Sequence, residues 1–293
     1  MTDEPERILN YAAEWFEKDG KSALITLVDI RGGSARALGA QMAVSIDGGY
    51  CGYVSGGCTE AAIATEAINA IHAGDDRFLL LGEGSIFFDI NLPCGGGITL
   101  AIHVLKDVRP IRRVLAKLRS RKVAFLSYDA ARQTITDAEA PENKTFYIRH
   151  YRPRLRLVIA GRGIELDCAA RIAHHSGFET LAFEDRSPAK FDDAIIDADT
   201  AIALLFHDLD LELPFLKAAL QKSPFYIGAL GSRRTHERRR EALHAHGYAK
   251  LDIDRIKAPI GMFGPARDAN FLALSVLADI AAARSSVNFD GDV

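Results

Sequence analysis

Leu155-Arg156-Leu157-Val158-Ile159-Ala160-Gly161-Arg162-Gly163 decides the fold of the C-terminal half. A nearly continuous apolar run reads as a strand of a parallel sheet buried on both faces. The Gly-x-Gly turn after it opens a helical pattern, the context in which backbone N–H groups hold a phosphate. Further strands are expected over 179–184, 200–206 and 225–229, alternating with helices over 164–176, 212–221 and 233–246. Such alternation predicts a Rossmann-like, doubly wound parallel sheet. Glu184-Asp185 closes the second strand about twenty residues past the turn, where an acidic side chain grips a ribose hydroxyl. Gly161, Gly163 and Asp185 are therefore candidate NAD(P) contacts. Leu166 stands where the dinucleotide fingerprint has its third glycine, which widens the helix–strand contact and weakens the nucleotide reading.

Two later strand ends carry chemistry. His207-Asp208 follows the buried run 201–206, at the carboxyl edge where ligands of doubly wound folds bind. Gly228-Ala229-Leu230-Gly231-Ser232-Arg233-Arg234 runs from a strand into a helix. Two cations in a first helical turn oppose the helix dipole by up to about 1 kcal/mol each. Ser232 can cap the helix, but the arginines make local sense with an anion there. Gly231, Ser232, Arg233 and Arg234 are thus a candidate phosphate site, the alternative being arginines in water or paired with Glu237. The run Arg238-Arg239-Arg240 is interleaved with Glu237 and Glu241 and reads as a solvated, salt-bridged face.

The first half predicts a mixed α/β domain over 1–145, with the Rossmann-like domain over 146–293 ending in an Ala-rich helix around 266–283. Helices are expected over 4–18, 59–73 and 109–120, and strands over 23–30, 42–46, 50–54, 78–81, 98–105 and 122–128. Polar sequence to about Asn143 marks the boundary. Within this half lie Ser55-Gly56-Gly57-Cys58-Thr59-Glu60 and Pro93-Cys94-Gly95-Gly96-Gly97. Each places a sulfur in backbone almost without side chains, which a large ligand can approach closely. Cys58 falls at an expected helix N-terminus, where the dipole favours thiolate; Glu60 nearby would oppose that. A small buried residue and a tight turn are the alternatives for Cys58 and Cys94. Cys51 and Cys168 read as core. Arg31-Gly32-Gly33-Ser34-Ala35-Arg36 could hold an anion through Arg31, Arg36 and backbone N–H groups.

Composition narrows the classes. An apolar fraction of 48% and a charged fraction of 26% describe an ordinary globular protein of 293 residues. A formal charge of −3 speaks against nucleic-acid or membrane-surface binding. No apolar run has the roughly 18–20 residues needed to span a bilayer. The acidic start lacks signal-peptide features, so a cytoplasmic protein with reduced thiols is expected.

Taken together these segments resemble the XdhC/CoxI family, accessory proteins of xanthine-dehydrogenase-type molybdoenzymes. The resemblance is carried in order by Gly33–Ala40, Ser55–Glu60, Pro93–Gly96, Gly161–Gly163, Glu184–Arg186, His207-Asp208, Tyr226–Arg234 and Ala258–Gly261. It implies a non-catalytic chaperone that binds molybdenum cofactor (molybdopterin), protects its sulfurated form and inserts it into a xanthine-dehydrogenase-type enzyme. It further implies a homodimer, with a cysteine desulfurase as possible partner. By the same resemblance Cys58 leads as the cofactor contact, through the molybdenum itself, followed by Cys94. Gly56, Gly57, Gly95 and Arg36 would lie about the cofactor, and the Ser232–Arg234 turn would take phosphate. The chain departs from the family pattern at Ile164, at Phe263 and Pro265, and over Asp268–Phe271. The competing functions are an NAD(P)-dependent oxidoreductase and a scaffold whose C-terminal helix forms an oligomer interface. The chaperone reading expects both thiols and the arginine-bearing turn to share one groove.

Overall fold

The computed structural model describes residues 4–57, 59–82, 95–138, 147–184, 191–264 and 266–286. The backbone divides into two compact units, the first running through Pro153 and the second from Arg154.

The first unit opens with α1 (Pro5–Asp19), which buries Ile8, Leu9, Ala12 and Ala13 on one stripe and ends on Gly20 in the left-handed region. Five strands follow: β1 (Ser22–Arg31), β2 (Gln41–Ser45), β3 (Tyr50–Gly52), β4 (Arg77–Gly82) and β5 (Gly97–Val104), with α2 (Glu60–Ala73) between β3 and β4. They form one antiparallel sheet in the order β3-β2-β1-β5-β4. The two-residue period of β1 decides its two faces. Ala23, Ile25 and Leu27 pack with Ile63, Ala67 and Ile71 of α2. Leu24 faces the opposite side, toward Leu9 and Ala12 of α1. There it also meets α3 (Arg109–Arg119), through Ile111, Val114 and Leu118. Each such fully buried Leu or Ile contributes about 1.5–3 kcal/mol.

A second, three-stranded antiparallel sheet runs in the order β7-β6-β8: β6 (Ala124–Asp129), β7 (Thr134–Thr136) and β8 (Tyr147–Tyr151). The sequence pattern gives β6 but reads 129–143 as polar connection and offers no sign of β8. Both unexpected strands are short: Thr134-Ile135-Thr136 offers a single apolar residue, too few to mark a strand, and β8 carries Arg149 and His150 side by side. Asp76 joins the two sheets, bonded to His103 Nδ1 (2.7 Å) and accepting from the Tyr128 hydroxyl (2.9 Å) and the Val104 amide (2.9 Å).

The second unit is an α/β layer structure. Its sheet is wholly parallel in the order β10-β9-β11-β12-β13, from β9 (Arg156–Gly161), β10 (Glu179–Glu184), β11 (Thr200–Leu205), β12 (Tyr226–Ala229) and β13 (Ile256–Lys257). Leu157 and Ile159 pack against α4 (Gly163–His175) and α8 (Ala269–Ser286). Val158 and Ala160 face α5 (Leu209–Gln221), with α6 (Arg233–Ala245) and α7 (Lys250–Ile253) on the same side. The expected Rossmann-like sheet, covered on both faces, is therefore present. Among the described residues no helix is long and apolar enough to cross a membrane.

Candidate functional site

Cys58, Cys94 and Asp185 lie outside the described residues. The chain on either side of the two cysteines is informative nonetheless. Gly96, two residues past Cys94, lies against the backbone of the Arg31–Gly33 turn. A Cβ there would collide with the Gly33 carbonyl oxygen and stand 2.6 Å from that of Arg31. Only glycine permits this approach. Gly56, two residues before Cys58, meets the other end of the same loop, where an added Cβ would stand 3.1 Å from the Ala35 methyl. The 32–36 loop thus touches both glycine-rich segments, and all three gather at one end of the β1–β5 pair. Gly56, Gly57 and Gly95 are exposed, and among the described residues nothing lies within 4 Å of where a side chain would start at Gly57 or Gly95. Arg31 is tied down by Asp29, Thr99 and the Ile98 carbonyl. Arg36, half-buried, lines a neighbouring pocket.

Glu60 shapes this corner. Its buried carboxylate accepts from the amides of Val54, Ser55 and Thr59 and from the Ser55 hydroxyl at 2.7 Å. Burial pushes its carboxyl up, but the Ser55 hydroxyl and surrounding amides outweigh that and hold it below the usual glutamate range. An internal anion therefore already occupies the positive end of α2. The helix-dipole argument for a thiolate at Cys58 loses force accordingly. Next to it, the Thr59 hydroxyl is buried without a hydrogen-bond partner among the described residues.

The second unit collects the remaining candidates at the carboxyl edge of its sheet. The order places β9 between β10 and β11, and their connections leave to opposite faces, the topology that opens a crevice. Gly161 is buried, and a Cβ there would stand 2.9 Å from the Leu205 carbonyl oxygen. It is a packing glycine between β9 and β11. Gly163, exposed with φ +64°, opens α4 and leaves its backbone bare. Leu166 fills the helix–sheet contact among Leu157, Ile159 and Ala169, which explains how the fold survives without a third glycine. His207 is largely exposed and stands 3.9 Å from Glu165 on α4.

Ser232 caps α6, accepting from the Thr235 amide at 3.2 Å. Gly231 (φ +131°) leaves no room for a side chain beside Thr235. Arg233 and Arg234 are exposed, and neither forms an ion pair, with Glu237 or any other carboxylate, among the described residues. Arg239 corrects the sequence reading. Far from belonging to a solvated face, it is fully buried, with Nε at 2.6 Å and a terminal nitrogen at 3.0 Å from the two Glu212 oxygens. The same terminal nitrogen donates to the Leu230 carbonyl (2.8 Å), fixing the chain just before Gly231. No local signal separates Arg239 from Arg238 and Arg240; its partner lies on another helix.

The turn Ala258–Gly261 is wired to α8. The Gly261 amide and the Tyr226 hydroxyl donate to Asp279, which also pairs with Lys257. Ser275 bonds the Phe263 backbone twice, accepting from its amide and donating to its carbonyl. The departures Ile164, Phe263 and Phe271 are more than half exposed.

Comparison with known proteins agrees with this arrangement. Residues 157–280 match the model of the XdhC Rossmann domain, and residues 15–82 that of the XdhC and CoxI family. The chain is 47% identical over 288 residues to the molybdenum cofactor insertion chaperone PaoD of Escherichia coli K12, covering 97% of this chain and 90% of that one. A crystal structure described as a xanthine dehydrogenase from Bacillus halodurans shares the fold, with a TM-score of 0.76 at 21% identity over 98% of this chain and 97% of that one. With both halves matched and nearly half its residues shared with a full-length relative, the chain belongs to the XdhC and CoxI family.

Proposed function

We propose that this protein is a molybdenum cofactor insertion chaperone serving a xanthine-dehydrogenase-type molybdoenzyme. The observation that carries the reading is the contact of the 32–36 loop with both glycine-rich segments that flank Cys58 and Cys94. Bare backbone from three segments suits a large planar cargo, and a thiolate suits its soft metal. The 47% identity to a protein named for that activity supports it. Cys58 is the leading contact to the cargo and Cys94 the second. Glu60 holds the 54–60 loop in shape, so that Cys58 is presented as a ligand rather than activated as a nucleophile. Gly231 and Ser232, with the exposed Arg233 and Arg234, form an oxyanion-accepting turn in the second unit, at the same sheet edge as Gly163 and His207. The cargo is taken up with its terminal sulfur, a cysteine desulfurase being its source, and the working form is a homodimer.

The test is retention. Purified protein mixed with molybdenum cofactor is passed through gel filtration, and the co-eluting pterin and molybdenum are measured. Wild type should carry cofactor in near-stoichiometric amount, and Cys58→Ala should lose most of it. Wild-type protein emerging free of pterin would reject the reading.

A further inference from the structure

Arg149 of β8 is a cation whose position the rest of the structure does not explain. Its Nε is buried without a hydrogen-bond partner among the described residues. No carboxylate pairs with its guanidinium among the described residues; the Tyr151 ring lies 5.6 Å from centroid to guanidinium carbon. A buried donor left unsatisfied costs about 1–3 kcal/mol, more for a charged group.

The surroundings are built to keep it there. Arg149 lines a small pocket, open in part to solvent, together with Arg36, Gly39, Gln41 and Tyr53. No Asp or Glu contributes to its wall among the described residues. Gly39 has φ +79°, and a Cβ there would stand 2.7 Å from the Tyr147 hydroxyl and 2.9 Å from Arg149 Cδ. The missing side chain therefore makes the space in which the Arg149 stem lies against the loop. Gln41 has spent both ends of its amide: its carbonyl accepts from Tyr151 (2.8 Å) and its nitrogen donates to Thr26 (3.1 Å). It forms a fixed wall, and Arg149 Nε remains the donor without work. A guanidinium with an unspent donor, in a pocket whose wall brings no carboxylate among the described residues, calls for an anion. The planar fork of arginine matches phosphate oxygens.

We propose that this pocket is a phosphate subsite, in which Arg149, with Arg36 beside it, holds the phosphate ester of the cargo. The inference rests on the chaperone reading for the identity of the ester, but the pocket is judged separately. Its place suits the role. Ala35, which meets the Gly56 segment, is four residues from Gly39, so at most about 14 Å of chain separates the cysteine-flanking corner from the pocket. One ligand can reach both. The pocket lies wholly within the first unit and is a different element from the Ser232–Arg234 turn.

The experiment titrates the full chain with inorganic phosphate by calorimetry at fixed ionic strength, with chloride as blank. Wild type, Arg149→Met and Arg149→Lys are compared, each shown by circular dichroism to melt as wild type does in chloride. Wild type should bind phosphate at a site additional to any at the Ser232–Arg234 turn, and that site should weaken at least tenfold in Arg149→Met while binding at the turn is unchanged. Arg149→Lys, which keeps the charge but loses the fork, should fall between. A wild type that gives no heat, or variants that bind as wild type does, overturns the subsite; if the Arg149→Met protein misfolds, the lysine variant alone decides on the same criterion. In a second arm the same proteins are loaded with molybdenum cofactor. Equal retention by wild type and both variants removes the phosphate ester from this pocket and leaves the chaperone reading standing. No retention by wild type removes that reading, while the phosphate titration still decides the pocket, which would then serve free phosphate.

Discussion

Glu60 and Gly96 show how single residues set the candidate site. The Glu60 carboxyl has a lower pKa folded than unfolded, so its stabilisation of the 54–60 loop is complete above the ordinary glutamate value and fades as pH falls through the lowered folded one. The Ser55 and Thr59 amide resonances should therefore titrate together in NMR spectra, with a midpoint below the usual glutamate range. In Glu60→Gln the charge-assisted bonds to Ser55 and Thr59 are lost, a destabilisation of about 1–3 kcal/mol read by urea unfolding. Its Cys58 should also alkylate faster at neutral pH, because the competing anion is gone. Gly96→Ala forces a methyl group into the Gly33 carbonyl. Backbone must move, at about 1–3 kcal/mol, and cofactor retention should fall even though both cysteines remain.

At the scale of elements, buried ion pairs join helices to loops. Arg239 of α6 and Glu212 of α5 neutralise one another while Arg239 also holds the Leu230 carbonyl. Arg239→Met leaves a buried, uncompensated carboxylate and should cost about 3–5 kcal/mol. Adding Glu212→Leu should restore much of that loss, which a double-mutant cycle in urea measures directly. A cycle without coupling would mean that the pair does not hold α5 to α6. Most of these elements are legible in the sequence: α1, α2 and α4 have the expected apolar spacing, and Gly20 and Gly74 end their helices in the left-handed region as glycine allows. The strands β7, β8 and β13 are not, for one shared reason. Such short strands are held by their neighbours' hydrogen bonds, and two to five residues of mixed polarity are too few to stand apart from a loop.

Two separate sets of cores run through the whole molecule. The apolar clusters that fill the five-stranded sheet draw their residues from 8 to 151, and those of the parallel sheet from 155 to 283. Residues 154–286 expressed alone should therefore melt cooperatively with a mixed α/β far-UV spectrum. A non-cooperative, random-coil-like trace would show that this unit depends on the first. Cys168, buried between α4 and α8, should resist alkylation in the native full chain and react only on unfolding.

The sequence by itself determined the alternation of strands and helices, the parallel sheet beginning at Leu155, and the glycine-flanked segments, because these rest on local pattern and backbone sterics. The eight short segments quoted in order were also enough to indicate the family. Tertiary structure alone decided that the 32–36 loop meets both Gly56 and Gly96, that Glu60 turns its charge back onto the 54–60 loop, and that Arg239 is buried while Arg149 keeps an unspent donor in a pocket. Each of these depends on groups that the fold, and not the neighbouring sequence, brings into reach. A charged side chain looks the same in sequence whether its partner is water, a carboxylate or an oxyanion.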